Sequence, residues 1–313
     1  MLLLPLMLLA AQEPILIDCD PGKFTDDNVA IAMLIRSGKF KIAGITVVAG
    51  NVWANEGLRN ARATLQMMDV EDVPVHLGAQ QPLRHTAEMA AKEKPLEFAG
   101  AFDLRRPRAE KETAVDFLIE TLEKQPMTVL AIGPLTNIAQ ALQKKPSIAS
   151  KIKRLVIMGG AVRVPGNSNK TAEFNFWFDP EAAKIVLESQ IADKVLVGLD
   201  VCNQAVYGKP VFDAIVSGKA PFRHIFREQF GYGYPGFLKD PQAKGFLWDE
   251  LAAAYLIDPS VITKSEDLPL SVDENFGERY GAVQIRPSGP LTKVMLQVDS
   301  PKATKLYSEL LTR

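Results

Sequence analysis

The chain has 313 residues, of which 47% are apolar and 23% charged, enough to bury a sizeable core and too apolar for a disordered chain. Its 36 basic and 37 acidic residues nearly cancel, and the densest basic spot is only Leu104-Arg105-Arg106-Pro107-Arg108, which argues against nucleic acid as a partner. The two cysteines and three scattered histidines, His76, His85 and His224, make no CxxC or HExxH spacing, and there is no Gly-x-Ser-x-Gly elbow.

Residues 1–11 form an apolar run shorter than the roughly 18 residues a membrane span needs, and they end in small residues suited to cleavage. They predict a signal peptide removed after Ala11, hence a periplasmic or secreted protein, although no Lys or Arg precedes the apolar core. A packed N-terminal tail in a cytoplasmic protein is the alternative. Residues 12–313 are expected to form a single domain. Residues 15–18 read as a buried strand, and four carboxylates follow at its end or on the next loop: Asp18, Asp20, Asp26 and Asp27. Brought together, they would repel one another unless a hard divalent cation, a shared proton or wide separation intervened. Asn28 onward reads as a helix closed by Ser37-Gly38.

Further strands are predicted at 42–48, 73–77, 128–132, 154–158 and 194–199, with helices at 55–68, 112–124, 135–144 and 180–189 between them. This alternation predicts an α/β fold: an open, mainly parallel, Rossmann-like sheet flanked by helices. Asp179-Pro180-Glu181 is a good helix start, with Asp as N-cap and Pro at the first helical position. Segments 282–286 and 294–298 read as late, antiparallel strands before a terminal helix at 301–311. Cys19 and Cys202 read as small buried residues at strand ends rather than as a disulfide. Two long polar stretches, 85–108 and 231–240, read as lids, the second bearing Tyr232, Tyr234 and Phe237.

Polar groups follow one strand after another: Gly50-Asn51, Gly133-Pro-Leu-Thr-Asn137, Gly159-Gly160, Gly166-Asn167, Glu173 and Asn175, and Asp249 after Trp248. In a parallel sheet these converge on one rim, where open α/β sheets bind ligands. Carboxylates and carbonyls there suit a hard cation, and Asn and Glu suit sugar hydroxyls.

The ordered set Asp18-Cys-Asp-Pro-Gly22, Asp26-Asp27, Thr46-Val-Val-Ala-Gly-Asn51, Gly133-Pro-Leu-Thr-Asn137, Met158-Gly-Gly160, Gly166-Asn167, Ala172-Glu-Phe-Asn-Phe176, Asp179-Pro-Glu-Ala182 and Trp248-Asp249 resembles the nucleoside hydrolase family. The resemblance implies hydrolysis of the N-glycosidic bond of ribonucleosides with Ca²⁺ as cofactor. It implies that Asp20 is the general base and a calcium ligand, joined by Asp27, Asp249 and the backbone carbonyl of Ile132. Asp26 and Asn51 would hold the ribose 2′-hydroxyl, Asn167, Glu173 and Asn175 the 3′- and 5′-hydroxyls, and Asp18 would orient the loop. Relatives are dimers or tetramers, so a homodimer or homotetramer is implied.

Two departures stand out. Lys23, Phe24 and Thr25 intervene where the usual loop has one residue between Gly and Asp-Asp, and the histidines of nonspecific members are replaced by Trp248 and by Cys202-Asn203. Trp248 is similar to the tryptophan that stacks on the base in purine-specific members, which implies a purine preference and a part for Trp248 in leaving-group departure. Two rival readings remain at this point. One is an exported nucleoside- or ribose-binding protein without turnover. The other is a haloacid-dehalogenase-like phosphatase, whose nucleophile motif also has Asp-x-Asp after a strand.

Overall fold

The structure, a computed structural model, describes residues 12–23, 25–84, 113–221, 223, 226 and 240–312. Ile15, Leu16 and Ile17 have no exposed surface, because their strand β1 (Glu13–Cys19) lies between β2 (Phe40–Val47) and β4 (Met127–Ala131), parallel to both. Side chains alternate across a strand, so Ile15 and Ile17 enter the core on one face of the sheet and Leu16 enters that on the other. Burial on both faces explains why β1, β4 and β5 (Ile152–Met158) contain continuous apolar runs.

The sheet continues outward through β3 (Val75–Leu77) on one side and β6 (Lys194–Val197) on the other. Beyond β6 lie β11 (Leu291–Val298), β9 (Ile262–Val272) and β10 (Val283–Ile285), giving the order β10-β9-β11-β6-β5-β4-β1-β2-β3. All pairings from β3 to β11 are parallel; β9 runs antiparallel to β11 and β10. The expected open, mainly parallel sheet with late antiparallel strands is therefore the observed one. Strand order reverses between β1 and β4, the place where the carboxyl ends of such a sheet open a crevice.

Helices α1 (Asp26–Ser37) and α2 (Ala54–Met67) pack on one face; α3 (Ala114–Lys124) and α4 (Thr136–Lys144) pack on the other. α1 ends at Gly38, whose φ of 66° is the left-handed conformation that glycine adopts without Cβ strain. Next come α5 (Phe174–Phe178), α6 (Pro180–Leu187), α7 (Leu199–Cys202), α8 (Lys209–Ser217), α9 (Asp249–Ile257) and α10 (Ser300–Thr312). A separate antiparallel pair joins β7 (Val206–Gly208) to β8 (Lys244–Phe246).

Two expectations are corrected, and one strand was not expected. Residue 199 opens α7 instead of ending a strand, so Cys202 closes a short helix; both cysteines are buried and free. The strand expected at 73–77 is confined to Val75–Leu77. Strand β9 has no counterpart in the sequence reading, because its first half, with Lys264, Glu266 and Asp267, is partly exposed and polar. Among the described residues no helix is long and apolar enough to cross a membrane. The expected signal peptide, the basic spot at 104–108, His85, His224, and the expected lids, apart from Asp240, lie outside the described residues.

Candidate active site at the carboxyl end of the sheet

β1 delivers Asp18 and Asp20 to the crevice, and the loop after it turns back into α1, whose first residues are Asp26 and Asp27. Asp20 and Asp27 are buried and Asp26 half-buried. The Asp20 backbone N–H donates to Asp27 Oδ1 (3.0 Å), which ties the strand end to the helix start. Asp20 Oδ2 accepts from the backbone N–H of Asn51 (2.6 Å), whereas buried Asp20 Oδ1 has no partner among the described residues. Two glycines make room for this carboxylate: a Cβ at Gly50 would lie 2.0 Å from Asp20 Oδ2, and one at Gly133 would lie 2.8 Å from Oδ1.

α9 brings Asp249 in from the far side of the site. Oxygens of Asp26, Asp27 and Asp249 all lie within 4.8 Å of one another. Carboxylates packed this closely inside a protein resist ionisation. Burial, followed by the charge of Asp27, pushes Asp20 well above the usual carboxylate range. Burial and the Asp26 charge do the same to Asp249 and raise Asp27 to about 7. Burial raises Asp26 to about 6, against backbone N–H groups of Asp26, Asp27 and Asp249 that favour its charged form. The close group of Asp26, Asp27 and Asp249, all oxygen donors with surplus negative charge, fits a hard divalent cation; it contains Asp26, expected at the 2′-hydroxyl, and does not contain Asp20, expected as a ligand, whose unpartnered Oδ1 lies outside it.

The remaining expected residues lie on neighbouring strand ends, loops and helix starts. Ile132 is buried at the end of β4, its N–H bonded to the Asp18 carbonyl (2.8 Å); its own carbonyl accepts the Asn175 side-chain amide (3.3 Å). That amide also reaches the Met158 carbonyl (3.1 Å). Glu173 caps α5: its carboxylate accepts from the backbone N–H groups of Gly160 (2.8 Å), Asn175 (2.8 Å) and Phe176 (3.2 Å), while burial raises it to about 7. Exposed Asn167 accepts the Phe174 N–H through Oδ1 (2.9 Å), which leaves its amide N–H groups for a ligand. Asp18 is held by Thr46 Oγ1 (2.5 Å) and the Asn137 amide (2.8 Å), both on Oδ1, and burial raises it to about 7. Trp248 is half-buried just before α9, its indole parallel to the ring of Phe246 at 6.1 Å; the buried indole Nε1 has no partner among the described residues.

Sequence reasoning missed Glu250. It is buried beside Asp249, its Oε2 accepts the Trp248 backbone N–H (3.1 Å), and burial with the Asp26 charge raises its pKa strongly. An acid in the first turn of a helix ordinarily complements the dipole in solvent, so the sequence carried no signal of its burial. His76 takes no part in the cluster: it stacks on Phe117 on edge strand β3 and bonds Thr113 Oγ1 (2.9 Å).

Residues 15–305 match the family model described as inosine-uridine preferring nucleoside hydrolase. The pyrimidine-specific ribonucleoside hydrolase RihB of Escherichia coli is 34% identical over 300 residues, covering 92% of this chain and 94% of that one. A plant nucleoside hydrolase structure superposes with a TM-score of 0.83 at 27% identity, covering 96% of this chain and 99% of the other. The purine-preferring ribonucleoside hydrolase of Gardnerella vaginalis does so with a TM-score of 0.76 at 26% identity, covering 96% and 98%.

Proposed function

Since the chain belongs to the inosine-uridine preferring nucleoside hydrolase family and acts as an N-ribohydrolase on ribonucleosides, we propose that Asp20 is its general base, that calcium is its metal and that purine nucleosides are its better substrates. Membership of this family of enzymes speaks against both a binding protein without turnover and a phosphatase. The observation that carries the catalytic assignment is the asymmetry of Asp20: Oδ2 is fixed by the Asn51 N–H, and buried Oδ1 is left to accept a proton.

In the reaction a bond forms between a water oxygen and the anomeric carbon of ribose while the bond from that carbon to the base nitrogen breaks. Asp20 takes the proton of the water and later returns it to solvent, and the leaving purine takes a proton from solvent at N7. The carboxylates of Asp20, Asp27 and Asp249 and the Ile132 carbonyl would hold the calcium, which when bound lowers the pKa of water and offsets the charge of the acids. Positive charge developing on the ribose is stabilised by the surrounding carboxylates. Asp26 and Asn51 hold the 2′-hydroxyl, and Asn167, Glu173 and Asn175 hold the 3′- and 5′-hydroxyls. Glu173 has capacity for this, since three backbone donors leave about one of its four acceptor sites open.

The base preference rests on Trp248, whose aromatic face suits a purine. The names of the relatives divide on this point, one being pyrimidine-specific and another purine-preferring. Export after removal of residues 1–11 rests on their apolar sequence, and a homodimer or homotetramer rests on the family resemblance. The test is a panel of inosine, guanosine, uridine and cytidine assayed for released reducing sugar. Release should vanish after chelation and gel filtration, return with calcium, and be faster for the purines; activity indifferent to chelation would overturn the metal assignment.

A further inference from the structure

Thr25 lies in the loop that departs from the family pattern, where Lys23, Phe24 and Thr25 separate Gly22 from Asp26. Its hydroxyl accepts from the Gly22 backbone N–H (3.0 Å) and donates to Asp27 Oδ2 (3.0 Å). Asn28 Oδ1 lies 3.3 Å from the same hydroxyl, but a hydroxyl has one proton to give, and the nearer carboxylate is the stronger acceptor. Asn28 Oδ1 is in any case served by the Thr25 backbone N–H at 2.8 Å. The other oxygen of Asp27 accepts the Asp20 N–H, so two separate donors, one just past the end of β1 and one from the loop, fix the plane of a buried carboxylate. Gly22 leaves room for the methyl group of Thr25, since a Cβ there would come within 2.6 Å of Thr25 Cγ2.

We propose that Thr25 is a positioning residue that orients Asp27 toward the calcium ion, an inference that rests on the reading of Asp27 as a ligand. Groups that hold a ligand in place typically change metal affinity by about 10–100-fold when removed. Thr25→Val keeps the shape and loses the hydroxyl; Thr25→Ser keeps the hydroxyl. The experiment is calorimetric titration of calcium chloride into the metal-stripped full chain. Thr25→Val should weaken calcium binding by roughly 10-fold or more, Thr25→Ser should stay within about threefold of the parent, and kcat of Thr25→Val should recover at saturating calcium. Thr25→Ala gives the same readout should the valine variant not fold. A parent that binds calcium together with a Thr25→Val chain that binds it equally well overturns the inference alone, as does a serine variant as weak as the valine one. A parent that binds no calcium overturns the reading of Asp27, and this inference with it.

Discussion

Asp20 and Trp248 are the residues whose replacement separates the steps of the reaction. Asp20→Asn keeps the size of the side chain and an oxygen for the Asn51 N–H but cannot take a proton. Its kcat should fall by at least the ~10²–10⁴-fold that general-base help supplies, with the circular-dichroism spectrum unchanged. Retention of more than a tenth of parental kcat would show that another group is the base. Asp26 and Asn51 are assigned to the 2′-hydroxyl, and a site built to bond a hydroxyl can reject the analogue lacking it by as much as ~10⁴–10⁵. Comparable kcat/KM for inosine and 2′-deoxyinosine would refute that assignment. For Trp248, an aromatic face stabilises a cationic ring by roughly 0.5–2 kcal/mol, about 2- to 30-fold in rate. Trp248→Ala should therefore lower kcat for inosine while hardly affecting p-nitrophenyl riboside, whose leaving group needs no proton. Equal losses on both substrates would make Trp248 a packing residue.

At the scale of elements, Asp179 joins pieces that the sequence leaves far apart. Its Oδ2 accepts from the Leu83 N–H (2.9 Å) and Thr136 Oγ1 (2.6 Å), and its Oδ1 caps α6 through the Ala182 N–H (3.0 Å). Asp179→Ala leaves those donors unsatisfied beside α4 and α6 and should cost about 3 kcal/mol in urea unfolding, with Asp179→Asn losing less; a loss under about 1 kcal/mol would mean water replaces the carboxylate easily. The capping part of this was legible, since Asp-Pro-Glu announces a helix start, whereas the bonds to Leu83 and Thr136 depend on tertiary approach. The same division holds elsewhere. β1 and β4 were legible because burial on both faces demands an apolar run, and α1 because Gly38 ends it. β9 was not, because its exposed half carries no period and Pro269 reads as a break; its pairing with β10 and β11 is what makes it a strand. In the site, clustered acids after strands were visible as a pattern. The burial of Glu250 was not, because it depends on how α9 packs in the fold, and the bond from Thr25 to Asp27 was not, because it depends on the turn that folds the Gly22–Thr25 loop onto the start of α1.

For the whole molecule, the acid cluster makes stability depend on pH in opposite ways with and without cation. Glu173, Asp18 and Asp27 are raised to about 7 and Asp26 to about 6, against roughly 4 in an unfolded chain. Between those values the metal-free folded state binds more protons than the unfolded one. The contribution of these groups is therefore fully present below about pH 4 and is lost as pH rises through 6 to 7. A bound divalent cation favours the ionised acids and reverses this, since protons and metal compete for the same oxygens. The melting temperature of the chelated chain should fall between pH 5.5 and 7.5, while the increment produced by a fixed excess of calcium should grow over the same interval. Differential scanning fluorimetry on the chelated and calcium-loaded chain reads both. An increment independent of pH would mean that the cation binds groups already ionised in the free protein, and that the buried carboxylates at the end of β1 and the starts of α1 and α9 do not share its charge.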